Sequence, residues 1–200
     1  MKVLVACERS GIVREAFRAL GHDAYSCDIE PSDDDSPFHH QCEVESKLDM
    51  PWDLLIAHPP CTDIAVSGAR WFPAKIADGR QQAALDFVRL LMNCTIERIC
   101  VENPVSVIST HIRKPDQIIQ PYEYGHHARK TTCLWLKNLP LLTPTDVVEP
   151  ELVTYTRADG RTVTFSADYG VGYNTEHGTR RSVTYPGIGE AMALQWGGVV

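Results

Sequence analysis

Two adjacent prolines, Pro59 and Pro60, end the apolar run "WDLLIAH" and hand the chain to Cys61. Each proline lacks a backbone donor and fixes φ, so neither a ladder nor a helix continues through the pair. The run before them therefore reads as a buried strand that stops abruptly at its carboxyl edge. A thiol is presented there on a stiff turn.

The rest of the chain alternates in the same manner. "KVLVAC" is a short strand, followed by "ERSGIVREAFRALG", in which Ile12, Val13, Phe17 and Leu20 recur at helical spacing before a glycine stop. "HDAYSCDI" predicts a second strand with an acidic end, and "EPSDDDSP" a loop. After "WDLLIAH", the segment "GRQQAALDFVRLLMN" is an amphipathic helix with Ala84, Phe87, Val88 and Leu91 on one face. "RICVENP" and "KTTCLWL" are two more strands, "LVTYTRADGRTVTF" is a hairpin around Asp159-Gly160, and "GIGEAMALQWG" is a terminal helix. Strands alternating with helices predict an α/β fold with a mostly parallel, doubly wound sheet, and ligands at the carboxyl ends of its strands. The hairpin is a small insertion near the C-terminus. At 200 residues and 44% hydrophobic content, a single domain over residues 1–200 is expected.

Charge narrows the function. The net charge is -7, and the acid is concentrated between Asp28 and Asp53, whereas a protein that coats DNA needs a basic surface. Any nucleic-acid contact is therefore local, through "HIRK" (111–114), "HHARK" (126–130) or "TRR" (179–181). The apolar runs are too short for a membrane span or a signal peptide, and seven cysteines without paired spacing point to a reducing cytoplasm. "HHQC" (39–42) and "HH" (126, 127) lack recurring zinc spacing, so no metal is expected.

Four features carry chemistry. The first turn, "CERSG", offers a helix N-terminus but only one glycine, Gly11, so an ordinary connection and a cofactor loop both stand. Asp28, at the end of the second strand, is placed to accept ribose hydroxyls with Ile29 against an adenine, or else it opens a solvated loop. Cys61 stands on a turn at the ligand edge, unlike Cys7, Cys27, Cys94, Cys100 and Cys133, which lie in or beside apolar segments. Glu102 ends an apolar strand, where a carboxylate needs a partner or a task, although capping the helix of "PVSVIST" is an alternative. His58, ahead of the prolines, has no evident role.

In order, these elements resemble the DNA (cytosine-5) methyltransferase family, especially its short bacteriophage and prophage versions. "PPCTDIAVSG" is similar to the family's Pro-Pro-Cys motif, with Ser67 and Gly68 at matching distances, and "ENP" to its Glu-Asn-Val motif. "YSCDI" resembles the motif that sets an acidic residue on the cofactor ribose, and "TYPGIGEAMALQW" the last motif, which returns beside the first strand. The resemblance spans residues 1–137 and 182–197. The chain departs from the family at "CERSG", at Thr62 and Ala65, and at "HARKTTCLWL", where one arginine matches Arg129 and the other is Thr131, with Lys130 as a substitute. In place of a full target-recognition domain it has only residues 138–181, the candidate for a reduced recognition element.

The resemblance implies a Rossmann-like methyltransferase fold that uses S-adenosyl-L-methionine. It implies Cys61 as nucleophile, Glu102 as the group that protonates or hydrogen-bonds the adduct, and Arg129 and Lys130 as supporting charges. Cofactor contacts fall to Cys7, Glu8, Ser10 and Gly11 in the first turn, to Asp28 and Ile29, and to Glu43 and Pro59. Pro60, Ser67 and Asn103 meet the substrate. That substrate is cytosine in duplex or single-stranded DNA, or else a free cytidine nucleotide, and a homodimer is one route to sharing a duplex. A catalytically idle protein that binds nucleic acid or a partner is the reading from another class. The location implied is the cytoplasm, that of a bacterial host if the chain is phage-derived.

Overall fold

Strand β1 (Lys2–Ala6) runs through the middle of the molecule with Val3, Leu4, Val5 and Ala6 all fully buried. The computed structural model describes residues 1–166 and 183–198. Helix α1 (Ile12–Ala19) follows β1, then β2 (Asp23–Asp28), β3 (His39–Gln41) and β4 (Leu54–Ala57). A 3-10 turn over Val66–Trp71 leads into α2 (Phe72–Ala77) and α3 (Arg80–Asn93). Next come β5 (Arg98–Pro104), the short α4 (Ile108–His111), β6 (Gln117–Ile119) and β7 (Thr132–Lys137). A hairpin of β8 (Leu152–Thr156) and β9 (Thr162–Ser166) precedes α5 (Pro186–Met192), which runs on into a π-helical turn over Ala193–Gly197.

Seven strands form one sheet in the order β3-β2-β1-β4-β5-β7-β6. β7 pairs antiparallel with both β5 and β6, and the other pairings are parallel. Because β1 is joined to β2 on one side and β4 lies on its other side, the order reverses there, and the carboxyl ends of β1 and β4 flank the crevice of a doubly wound sheet. The antiparallel β7 brings its amino end, Thr132, level with Pro104 at the carboxyl end of β5.

Alternation along the strands divides the core into two layers. Leu4, Leu55, Ile99 and Val101 face Leu85, Val88 and Leu91 of α3. Val3, Val5, Leu54, Ile56 and Cys100 face Val13 and Phe17 of α1 and Ile188, Met192 and Trp196 of the terminal segment. Each fully buried Leu or Val is worth roughly 1.5–3 kcal/mol, which is why α3 packs through Leu85, Val88 and Leu91 while Ala84 and Phe87, expected on that face, lie at its margin. The terminal segment returns along α1 within this layer, where a side chain added at Gly189 would meet Val13 and Ile12. Trp196 Nε1 donates to the Pro140 carbonyl at 2.9 Å, and Arg98 donates to the Trp196 carbonyl.

The predicted strands and helices are all present, and the hairpin forms its own two-stranded ribbon. β3 and β6 were not predicted, because three residues at the margin of a sheet carry no readable period. "HHQ" is therefore edge strand: His39 bonds to Ser26 Oγ at 2.9 Å and to the Glu30 carbonyl at 3.1 Å. His126 Nε2 accepts from the Gly187 N–H at 2.9 Å, and His127 Nδ1 donates to the Glu149 carbonyl at 2.7 Å. Among the described residues, no group of three or more His, Cys, Asp or Glu could hold a metal ion, and no helix is long and apolar enough to cross a membrane.

Candidate active site at the carboxyl edge of the sheet

The register of β4 against β5 creates the first contact of the site. Ala57 lies opposite Val101, so one step further on His58 and Glu102 emerge side by side, with His58 Nδ1 3.0 Å from Glu102 Oε2. His58 is also tied to β1, its N–H donating to the Ala6 carbonyl at 2.9 Å. Burial pushes the Glu102 carboxyl up, but the His58 hydrogen bond and charge, with Lys130, outweigh it and hold Glu102 below the usual carboxylate range. Glu102 is therefore ionised at neutral pH and accepts, and Nδ1 donates.

Asn103, next along β5, is only 1% exposed and donates its side-chain amide to the Pro59 carbonyl at 2.8 Å. The Pro59 carbonyl of the stiff turn is thus taken up by the neighbouring strand. Beyond it the two loops are zipped together: Val66 N–H donates to the Val105 carbonyl and Val107 N–H to the Ile64 carbonyl, both at 3.0 Å. The Cys61 carbonyl accepts from Ala65 N–H at 2.8 Å, which closes the turn and leaves Cys61 half-buried at the edge. Pro59 is buried, Pro60 exposed, and Ser67 exposed on the 3-10 turn.

Lys75 was not singled out from the sequence. It is buried beneath this loop, donates to the Thr62 carbonyl and pairs with Asp63 at 3.3 Å. Only the fold of α2 brings it there, and a lysine in "FPAKIA" gives no local sign of it.

From the segment ahead of β7 the site receives Lys130, half-buried, whose Nζ donates to the Val183 carbonyl at 3.4 Å and lies 5.7 Å from the Tyr185 ring. Its charge reaches Glu102. Arg129 is exposed, and its backbone N–H donates to Ser166 Oγ at 2.9 Å, which ties the end of the hairpin to this edge.

The first turn is organised around α1. Glu8 accepts from Val13 N–H at 2.7 Å and Arg14 N–H at 3.3 Å, and Ser10 Oγ lies 3.5 Å from it. A carboxylate at a helix N-terminus satisfies donors that have no partner within the helix. Burial pushes Glu8 up, against the His58 charge and these hydrogen bonds. Gly11 has φ of +72°, and a Cβ there would lie 2.1 Å from Arg14 Nη2. Arg14 is fully buried, donates to Ser26 Oγ at 2.8 Å and pairs with Asp34, so the acidic loop folds back over this turn. The solvated loop expected for "EPSDDDSP" is thus pinned, because a buried guanidinium needs carboxylate and hydroxyl partners.

Cys7 has φ of +57°, an uncommon conformation for a non-glycine residue. Burial, Cys27 and the charges of Asp28, Glu45 and Glu43 push its thiol up, which places those carboxylates around it. Asp28 is half-buried, its Oδ1 accepts from Glu30 N–H at 2.9 Å, and Ile29 beside it is 60% exposed. A half-buried carboxylate and an exposed apolar side chain thus stand side by side at the end of β2, whereas Glu8 is engaged by α1. Of the short basic segments, "TRR" lies outside the described residues.

No family model matches the chain, and no curated protein matches its sequence. Among solved structures, one described as a candidate DNA modification methyltransferase encoded within a prophage (E. coli) aligns with a TM-score of 0.48 at 17% identity over 74% of this chain. The alignment takes in 52% of that chain, so this one spans about half its length. The architecture common to the sheet and this edge is that of a mixed α/β protein with a mostly parallel sheet.

Proposed function

We propose that the protein is a DNA-modifying methyltransferase of Rossmann-like fold that transfers a methyl group to carbon 5 of cytosine through a covalent Cys61 adduct. The observation that carries this reading is the coupling of the Pro-Pro-Cys turn to the end of β5, through Asn103 on Pro59 and His58 beside Glu102. It sets a thiol, a carboxylate and a lysine at one edge of the sheet. The sequence resemblance assigns the same residues.

Carbon 5 of cytosine is a weak nucleophile, and a thiolate adding at carbon 6 makes it enamine-like. Cys61 makes that bond, Glu102 meets ring nitrogen 3, and Lys130 offsets the charge at the edge. Arg129, exposed next to Lys130, holds the base carbonyl. S-adenosyl-L-methionine, when bound, supplies an electrophilic methyl group, with Asp28 on its ribose and Ile29 on its adenine. The reduced recognition element assigned to residues 138–181 lies within the one catalytic domain, and its part from 167 onward falls outside the described residues.

The test is to incubate the protein and labelled S-adenosyl-L-methionine with duplex DNA, single-stranded DNA or deoxycytidine monophosphate, and to digest for mass spectrometry. The expected product is 5-methylcytosine from DNA, abolished in a folded Cys61→Ser variant. Product from deoxycytidine monophosphate alone moves the substrate to free nucleotides, and an active serine variant refutes the adduct.

A further inference from the structure

Glu102 is an ionised acceptor in this site, which poses a problem for the chemistry. An ionised carboxylate has no proton to give to ring nitrogen 3, yet the adduct needs one there. The group hydrogen-bonded to Glu102 is His58, at 3.0 Å. The other nitrogen of His58, Nε2, is buried and has no hydrogen-bond partner among the described residues.

The surroundings of His58 come from four places. Glu102 approaches from β5, and Glu8 from the turn after β1, its carboxylate within reach of the His58 charge. Lys130, ahead of β7, acts on the same Glu102, and Cys61 stands three residues along the same turn. A proton moving along this edge therefore has His58 Nδ1 and Glu102 Oε2 as neighbours, 3.0 Å apart.

We propose that His58 is a positioning residue of the reaction: it fixes Glu102 at the edge of the sheet and supplies, through Glu102, the proton that cytosine takes up at ring nitrogen 3. The inference rests on the cytosine-5 reading. As the Cys61 thiolate bonds to carbon 6, the ring electron pair shifts toward nitrogen 3. Nitrogen 3 takes a proton from Glu102, and the Nδ1 proton of a doubly protonated His58 moves to Oε2. His58 is left neutral, Glu102 ionised, and the adduct neutral. After methyl transfer, the carbon-5 proton leaves to water and the carbon–sulfur bond breaks with its electron pair returning to Cys61. The nitrogen-3 proton then returns through Glu102 to Nδ1.

The experiment uses exchange of the carbon-5 hydrogen, which needs the adduct but no methyl donor. Duplex DNA, single-stranded DNA and deoxycytidine monophosphate, each tritiated at cytosine carbon 5, are incubated with the wild type, His58→Asn and His58→Ala across a range of pH. Asparagine keeps an N–H near the Nδ1 position but does not titrate. In the wild type, tritium release is expected to fall with rising pH, as the proton passed from Nδ1 to Oε2 becomes scarce. His58→Asn is expected to lose about 10²-fold in kcat, the lower end of general-acid effects, together with that alkaline limb, at little change in KM. His58→Ala is expected to raise KM as well.

An asparagine variant with the wild-type rate and pH profile overturns the inference and leaves the role of Cys61 standing. A wild type that releases no tritium from any of the three probes overturns both. If the variants fold poorly, the imidazole 15N shifts of His58 carry the test: Glu102→Gln is expected to move them, and unchanged shifts overturn the proposal.

Discussion

Asn103 reaches from the end of β5 to the carbonyl of Pro59, 2.8 Å away, and so joins two strand ends that the chain separates by more than forty residues. A proline pair forfeits its own donors, so the turn depends on a donor from elsewhere.

Asn103→Ala removes that donor at a buried position and leaves the Pro59 carbonyl without it. The expected cost is about 1–3 kcal/mol of stability, read as a lower urea midpoint with an unchanged slope. A variant as stable as the wild type refutes the dependence.

The cysteines should divide by access. Cys61 is half-exposed, whereas Cys27, Cys100 and Cys133 are buried. Burial and the Cys42 charge push Cys27 up to about 12, and burial and Glu102 push Cys133 up to about 11. Iodoacetamide on the native protein, followed by peptide mass spectrometry, is expected to modify Cys61 while these three resist until urea unfolds the chain. Native labelling of Cys100 at the Cys61 rate contradicts the packing.

Two glycines of the terminal helix should respond unequally to an added methyl group. A Cβ at Gly187 would lie 2.0 Å from the Tyr124 carbonyl oxygen, whereas one at Gly189 would make ordinary contacts of 3.5 Å with Val13. Because backbone cannot yield as a side-chain tip does, Gly187→Ala is expected to lower the melting temperature by several degrees and Gly189→Ala to shift it little. Equal melting temperatures for the two variants refute the close approach at Tyr124.

Stability should fall on mild acidification. Burial holds His126 below its ordinary value, against the pull of Glu190. His22 is lowered by burial and the N-terminal ammonium, and His40 by burial, Lys47 and His39. A histidine with a depressed folded pKa adds stability that is fully present above its unfolded value of about 6.5 and is lost as pH falls through the folded value. Glu8, raised by burial, acts with the opposite sign, so the histidine contribution is isolated by comparison with His126→Gln. The urea midpoint of the wild type is expected to drop more steeply between about pH 7 and about pH 5 than that of the variant. Parallel curves refute the role of the His126–Gly187 bond.

Much of the fold was legible because its signals are local. The apolar run of β4, the proline stop and the helical spacing of Val88 and Leu91 depend only on neighbours in the chain. The same holds for the hairpin at Asp159-Gly160, where a glycine at φ of +81° meets the demand of the turn. β3 and β6 were not legible, since three residues define no period. Nor was the direction of β7: an antiparallel strand between two parallel ones leaves no mark on "TCLWLK".

The site divides along the same line. The sequence by itself determined that Cys61 stands on a rigid turn at a strand end and that Glu102 ends an apolar strand, because proline stereochemistry and the cost of a buried charge act within a few residues. Only the tertiary structure decided what each one touches. Register across β4 and β5 paired His58 with Glu102, the antiparallel β7 brought Lys130 to the same edge, and α2 carried Lys75 beneath the loop. Those partners come from strands and helices far apart in the chain, and the electrostatics of a buried carboxylate depend on which of them arrive.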